Sequence, residues 1–216
     1  MTEAPLATDE LWAHTHAERA ALAEDLAHLT PDQWDAASLC SRWTVREVVA
    51  HLTAAASTGP FAWVRSIVGA RFRPAVHNQR RLVEHLGTSP AETLERFERI
   101  VTSTVAPSGD TPAWLGEVIV HGADIRRPLG IPHEPPARAV EAVATFFVGR
   151  NFTVQSRTAT KGLRLEATDG PFTSGTGPVV TGPTLALVLA MAGRESAYEE
   201  LSGPGLPELI SRTHSD

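Results

Sequence analysis

The residues best suited to chemistry lie in one short stretch, Glu117-Val-Ile-Val-His121, and at His51. On a helix, Glu117 and His121 sit one turn apart, and such side chains meet about 5–6 Å apart on one face. That face is apolar. In projection His121 falls about 20° from Trp114 and about 40° from Ile125, and Glu117 about 40° from His121. His51 lies between the directions of Val48 and Ala55, at the edge of a second apolar stripe. A carboxylate and imidazoles turned into a helical core are costly unless paired or bound to a metal. Two imidazoles and a carboxylate suit a divalent transition ion such as zinc. Three protein ligands leave a fourth position for water or substrate, the arrangement of a catalytic site. An open site of that kind lowers the pKa of a bound thiol and gives thiolate at neutral pH.

The spacing alone admits two plainer readings, a pair on a helix surface and a core histidine satisfied by a glutamate. Glu10 and His14 share the spacing, but His14 points about 80° off its own stripe and is set aside. Asp124, one turn beyond His121, could orient that ring's second nitrogen or pair with Arg127 on the surface. Cys40 precedes a capped helix, where a thiol could be acidified. Its residue type favours the role of a small buried hydrophobe. His16, His28, His77, His85, His133 and His214 show no paired spacing on an apolar stripe and read as surface or loop residues. Glu18 falls on the stripe of the first helix, where the sequence gives it no role. No G-x-S-x-G nucleophile motif occurs. The Gly-rich turn Thr173–Gly177 lacks the P-loop lysine and a following helix.

Four amphipathic helices would have to carry these groups. The first runs from about Asp9 to Leu29, with Leu11, Thr15, Leu22, Leu26 and Leu29 on one stripe. Thr30-Pro-Asp-Gln33 then starts a short extra turn. The second opens with the capping box Thr44-Val-Arg-Glu47 and carries Val45, Val48, Val49, Leu52 and Ala55. The third opens with another capping box, Ser89-Pro-Ala-Glu92, and presents Leu94, Phe97, Ile100 and Val101. The fourth starts near Thr111-Pro112, ends before Pro128, and carries Trp114, Val118 and Ile125. Between the second and third, residues 61–86 read as one or two helical pieces broken at Pro74 and capped by Gly87. Together these predict a helical bundle over residues 1–130.

The character of the chain changes at Pro128-Leu-Gly130, after all five tryptophans, and the Pro/Gly cluster to Pro136 reads as a linker. Residues 131–216 mix a helix (Pro136 to Arg150) and strands at Leu163–Thr168 and Gly177–Thr181. An apolar helix follows (Thr184 to Ala192), then a possible third strand at Tyr198–Ser202 and a terminal turn from Pro207. The expected fold class is mainly α with a small α+β C-terminal domain.

Composition sets outer limits. The 216 residues, 42% hydrophobic and 20% charged, can build a real core. A net charge of −6 disfavours sequence-independent nucleic-acid binding, which needs a basic footprint. One cysteine excludes an intramolecular disulfide framework and any multi-cysteine metal cluster. The longest apolar run, Leu185–Ala192, falls short of the about 20 residues that span a bilayer. The first ten residues have no signal-peptide pattern. A cytoplasmic protein with no membrane or nucleic-acid partner is expected.

Leu39-Cys-Ser-Arg-Trp-Thr-Val-Arg-Glu-Val-Val-Ala-His-Leu52 resembles the start of helix two in the mycothiol-dependent maleylpyruvate isomerase family, part of the wider DinB-like, thiol-transferase group of helical bundles. Glu117-Val-Ile-Val-His-Gly-Ala-Asp-Ile-Arg-Arg-Pro-Leu-Gly130 resembles its helix-four motif. Gly177 to Arg194 is similar to its sterol-carrier-protein-like C-terminal domain. The resemblance covers nearly the whole chain, although residues 58–86 carry no motif that maps. It implies a DinB-like four-helix bundle holding one divalent metal, usually zinc, through His51, Glu117 and His121. It also implies an enzyme that uses mycothiol, activated as thiolate, against a small electrophile. In the isomerase version the thiolate adds across the cis double bond of maleylpyruvate, the C–C bond rotates, and elimination returns the trans product. In an S-transferase the adduct is kept. Arg194 is the nearest match to a C-terminal arginine that matters for activity, suited to hold a carboxylate. Arg126 and Arg127 match the motif without a role; they could cap the helix C-terminus or face an anionic thiol cofactor. A third reading is a non-catalytic module with a structural metal, in which Asp124 closes the shell as a fourth ligand.

Overall fold

The computed structural model describes residues 4–40, 43–61 and 74–213. The chain divides into two compact units, Trp12–His133 and Met1–Leu11 with Glu134–Asp216. The change of character at 130 thus lies three residues before the division at 133, and the first eleven residues group with the C-terminal part.

The helices that build the Trp12–His133 unit are α1 (Thr8–Ala27), α2 (Pro31–Trp34), α3 (Val45–Ser57), α4 (Pro74–His85), α5 (Pro90–Glu98) and α6 (Thr111–Leu129). Helix α3 packs against α4, α5 and α6. Its start is fixed by a complete capping box: Thr44 Oγ1 accepts from the Glu47 amide, and the Glu47 carboxylate accepts from the Thr44 amide. Val45, Val48 and Val49 are fully enclosed and join Leu22, Leu26, Trp34, Phe97 and Ile125 in one apolar core. Phe97 on α5 and Ile125 on α6 meet that core because their stripes face α3. Within α3, Ala54 and Ala56 are buried while Ala55 is only half-buried, so the stripe drifts from its expected edge.

Two local expectations change. Ser89 caps α5 through the Glu92 amide, but the Glu92 carboxylate accepts from the amide and hydroxyl of Thr88 instead of closing the box. Thr88 offers two donors against the single amide of the cap, and with Arg96 these bonds hold the Glu92 carboxyl down to about 2. The α6 helix also runs through Pro128 to Leu129, because Gly130 at φ 67° terminates it and the amides of Gly130 and Ile131 bond the Arg127 and Arg126 carbonyls. Residues 62–73 and His214 lie outside the described residues, as does the side chain of His77.

Glu18, on the α1 stripe, is buried at 3% exposure and its Oε2 lies 2.8 Å from His133 Nε2. His133 is thus a structural partner rather than a loop surface residue; nothing in its own neighbourhood announces a glutamate 115 positions earlier. Removing one partner from a buried polar pair costs about 1–3 kcal/mol. His133→Ala should therefore lower the stability of the unit by about that much, measurable as a shift in the chemical-denaturation midpoint; an unchanged midpoint would show that water replaces the ring.

The other unit holds α7 (Ala137–Gly149), α8 (Ser156–Thr160), β1 (Arg164–Ala167), β2 (Thr173–Gly175), β3 (Val179–Gly182), α9 (Thr184–Met191) and α10 (Leu206–Thr213). The sheet order is β2-β1-β3, with β1 antiparallel to β2 and parallel to β3. Helix α9 is buried along nearly its whole length and packs on α7. The expected third strand at 198–202 is instead the end of a 3-10 helix, Glu195–Glu200, and only Ser202 exchanges backbone bonds with Thr181 of β3. Ala197 and Leu201 are buried around exposed Glu199 and Glu200, a spacing of one helical turn rather than an alternation.

Past that bridge, Gly203 adopts φ 107°, and a Cβ there would stand 2.3 Å from the Val179 carbonyl oxygen. Strained positive-φ backbone alone costs about 1–3 kcal/mol. Gly203→Ala should destabilise the unit by at least that, read as a drop in Tm; a wild-type Tm would mean the turn can relax away from β3.

Candidate metal centre

Helices α3 and α6 bring His51, Glu117 and His121 together. One ligand atom from each lies within 4.8 Å of the other two. His51 Nε2 is 2.9 Å from Glu117 Oε1, and His121 Nε2 is 3.8 Å from the same oxygen. The three side chains are largely enclosed, at 14%, 16% and 10% exposure, yet none is sealed from solvent. The plainer reading of a surface pair is excluded by that burial. Two imidazoles from separate helices turned on one carboxylate oxygen are a donor set that fits a divalent cation.

Asp124 has no exposure at all, and its Oδ2 lies 2.8 Å from His121 Nδ1. A carboxylate behind Nδ1 fixes that nitrogen as the protonated one and leaves Nε2, the atom facing Glu117, with its lone pair free to bind a cation. Of the two roles weighed for Asp124, orienting the ring is the one the geometry takes. Among the described residues, Asp124 is not in the group formed by His51, Glu117 and His121, so it does not close their shell. It belongs instead to a second grouping with Cys40 and His121.

Cys40 and Trp43 come from the segment before α3. Both pack against the apolar core, and Cys40 is only partly buried. The Trp43 ring lies 4.7 Å from the His51 ring and 6.3 Å from that of His121. What frees a partner for Leu39, just before Cys40, is a proline. Pro128 has no amide to give to the Asp124 carbonyl one turn back, and that carbonyl accepts from the Leu39 amide at 3.0 Å instead. The sequence read Pro128 as a stop signal; its part in holding Leu39 needs the fold.

Arg126, left open between a helix cap and a cofactor contact, forms an ion pair with α1. It is buried at 3% exposure, and its Nε donates to Asp25 Oδ2 of α1 at 2.6 Å. Gly122 makes room: a Cβ there would stand 2.9 Å from Arg126 Nη1. Arg194 lies in the other unit, half-buried at the start of the 3-10 helix, with Nη1 donating to the Ala192 carbonyl at 2.6 Å.

One charged residue at the centre was missed from the sequence. Arg19 is 6% exposed and lines a small cavity together with Leu52, Ala55, Trp114, Glu117 and Val118. The signal was available: Arg19 falls one turn after Thr15 and just before Leu22, on the apolar stripe of α1. Burial lowers its guanidinium to about 10, so it is still charged at neutral pH.

Residues 15–114 match the profile of the mycothiol maleylpyruvate isomerase N-terminal domain, and residues 134–212 match that of the MDMPI C-terminal domain. Among solved structures, the crystal structure of the mycothiol-dependent maleylpyruvate isomerase aligns with a TM-score of 0.65 at 17% identity, over 92% of this chain and 93% of that one. The crystal structure of a histidine-to-alanine mutant of that enzyme aligns with a TM-score of 0.66 at the same identity and coverage. At that identity these likenesses speak for the fold, a mainly helical chain with a small C-terminal sheet. The search of curated proteins gave no match.

Proposed function

Because the chain belongs to the mycothiol maleylpyruvate isomerase family, we propose that it is a divalent-metal-dependent enzyme that uses mycothiol against a small electrophile, with cis–trans isomerisation of maleylpyruvate as the reaction. The observation that carries this reading is the convergence of His51 Nε2 and His121 Nε2 on Glu117 Oε1, with Asp124 behind His121. A divalent cation held by these three residues, zinc first among the candidates, would supply the Lewis acidity that keeps a thiol ionised at neutral pH.

The chain's own residues have distinct tasks. His51, Glu117 and His121 hold their donor atoms on rigid helices, so little is reorganised when a cation binds. Asp124 keeps the His121 proton on Nδ1. Trp43 covers the two imidazoles on one side and limits water there. Arg194 is assigned the role of holding a carboxylate of the electrophile, a task that suits a planar two-pronged donor. Arg194→Ala with unchanged KM for maleylpyruvate would remove it from that role.

A donor set does not name its substrate, so an S-transferase acting on another electrophile would use the same residues. Two measurements on the purified protein decide. Elemental analysis should find about one divalent ion per chain, lost on chelation. Mycothiol with maleylpyruvate should give the trans product without net thiol loss; consumption of thiol by a general electrophile, with no isomerisation, would favour the transferase. Metal retained by both His51→Ala and His121→Ala would overturn the reading. Within the described residues no helix is long and apolar enough to cross a membrane. A cytoplasmic location and small-molecule partners are proposed with this reading.

A further inference from the structure

Among the described residues, Arg19 is a buried cation lining a cavity with Glu117 that this chemistry leaves unused. Its two hydrogen bonds are both made by Nη1, to the carbonyls of Ile100 at 3.2 Å and Ser103 at 2.8 Å. Among the described residues it forms no ion pair. Among the described residues, the side-chain nitrogens fully enclosed without a hydrogen bond are Arg81 Nε and Arg126 Nη2, so the Nε–Nη2 edge of Arg19 is not fully sealed. A guanidinium anchored by one nitrogen keeps its other edge for an anionic oxygen, such as one oxygen of a carboxylate. The cavity it shares with Glu117 has a volume of about 10 Å³, room for about one water. A space of that size admits one oxygen of an anion in place of a water, not a whole molecule. Carbonyl dipoles offset the cost of burying a full charge only in part, and desolvation is what lowers the Arg19 pKa.

We propose that Arg19 receives a carboxylate of the electrophile next to Glu117, and so selects anionic over neutral substrates. This rests on the reading given under Proposed function, which it narrows to carboxylate-bearing electrophiles. The partner is defined by its charge: a neutral ester of the same shape offers the guanidinium only an uncharged and weaker acceptor.

The test uses the full-length metal-loaded protein, with maleate as the binding probe and dimethyl maleate as its neutral counterpart. Calorimetry on wild type, Arg19→Gln and Arg19→Lys, with metal content measured on each, gives the readout. Loss of a charge-assisted bond should weaken maleate binding about 10- to 100-fold in Arg19→Gln. Arg19→Lys should recover part of it, dimethyl maleate should respond far less to both changes, and bound metal should stay at the wild-type level. Equal maleate affinity in Arg19→Gln and wild type overturns the proposal. So does equal weakening of ester and diacid, or loss of metal from both variants, since either makes Arg19 a packing residue. Failure of the parent reading is seen separately, as absence of mycothiol-dependent turnover in the wild type; a selective loss of maleate binding in Arg19→Gln would still be visible there.

Discussion

His121→Ala should purify without its divalent ion and lose at least about 100-fold in kcat/KM, more than partners outside the donor set cost when removed. Two of three donors remain, but they are the pair already joined at 2.9 Å, His51 with Glu117. Without the third, that pair satisfies itself as an ordinary hydrogen bond and has little reason to open for a cation. The change also takes one hydrogen bond from fully buried Asp124, so a stability loss of about 1–3 kcal/mol accompanies it. Metal content by elemental analysis, kcat/KM with mycothiol and a denaturation curve separate the two effects. His51→Ala is the matched control, because His51 does not bond Asp124: it should lose the metal with a smaller stability loss. Full activity in either variant would mean that the donors serve the fold alone.

Asp124→Ala should weaken metal binding about 10- to 100-fold while leaving all three donors in place. Its carboxylate meets Nδ1 at 2.8 Å from a site without solvent contact. Removing it frees the imidazole to turn and to exchange its proton between nitrogens, so Nε2 faces Glu117 only part of the time. Asp124→Asn keeps an acceptor oxygen but not the charge and should fall between the two. Competition with a chromogenic chelator gives the affinities. Activity at saturating metal tells positioning from destruction: excess ion should restore much of kcat in Asp124→Ala and none of it in His121→Ala. Unchanged affinity in Asp124→Ala would assign the carboxylate to helix packing.

The helical elements were legible because their signals are local. Capping boxes, Pro at the first helical position and the terminal glycine depend on neighbours a few residues away, and α3, α5 and α6 start within a residue of where those signals place them. The convergence of His51, Glu117 and His121 was legible for a related reason: polar types on an apolar stripe advertise a need that packing alone does not meet. What escaped depends on long-range encounters. His133 finds Glu18, Arg126 finds Asp25, and Leu39 finds the Asp124 carbonyl across chain separations that no periodicity encodes. β2 is three residues long, too short for alternation to stand out from a glycine-rich turn. Arg19 could have been found by the rule that found Glu117, since it also breaks an apolar stripe; long cationic side chains can bury their stems and escape to water, which blunts the signal.

The unmade helical bond at Pro128 has an experimental consequence. Leu39 lies outside any helix, yet its amide is held by a carbonyl of α6. Its exchange with heavy water should therefore be as slow as the opening of α6 permits, not as fast as its surroundings before α3 suggest. In Pro128→Ala, a new amide competes for that oxygen, and Leu39 alone should speed up while the helix slows or holds.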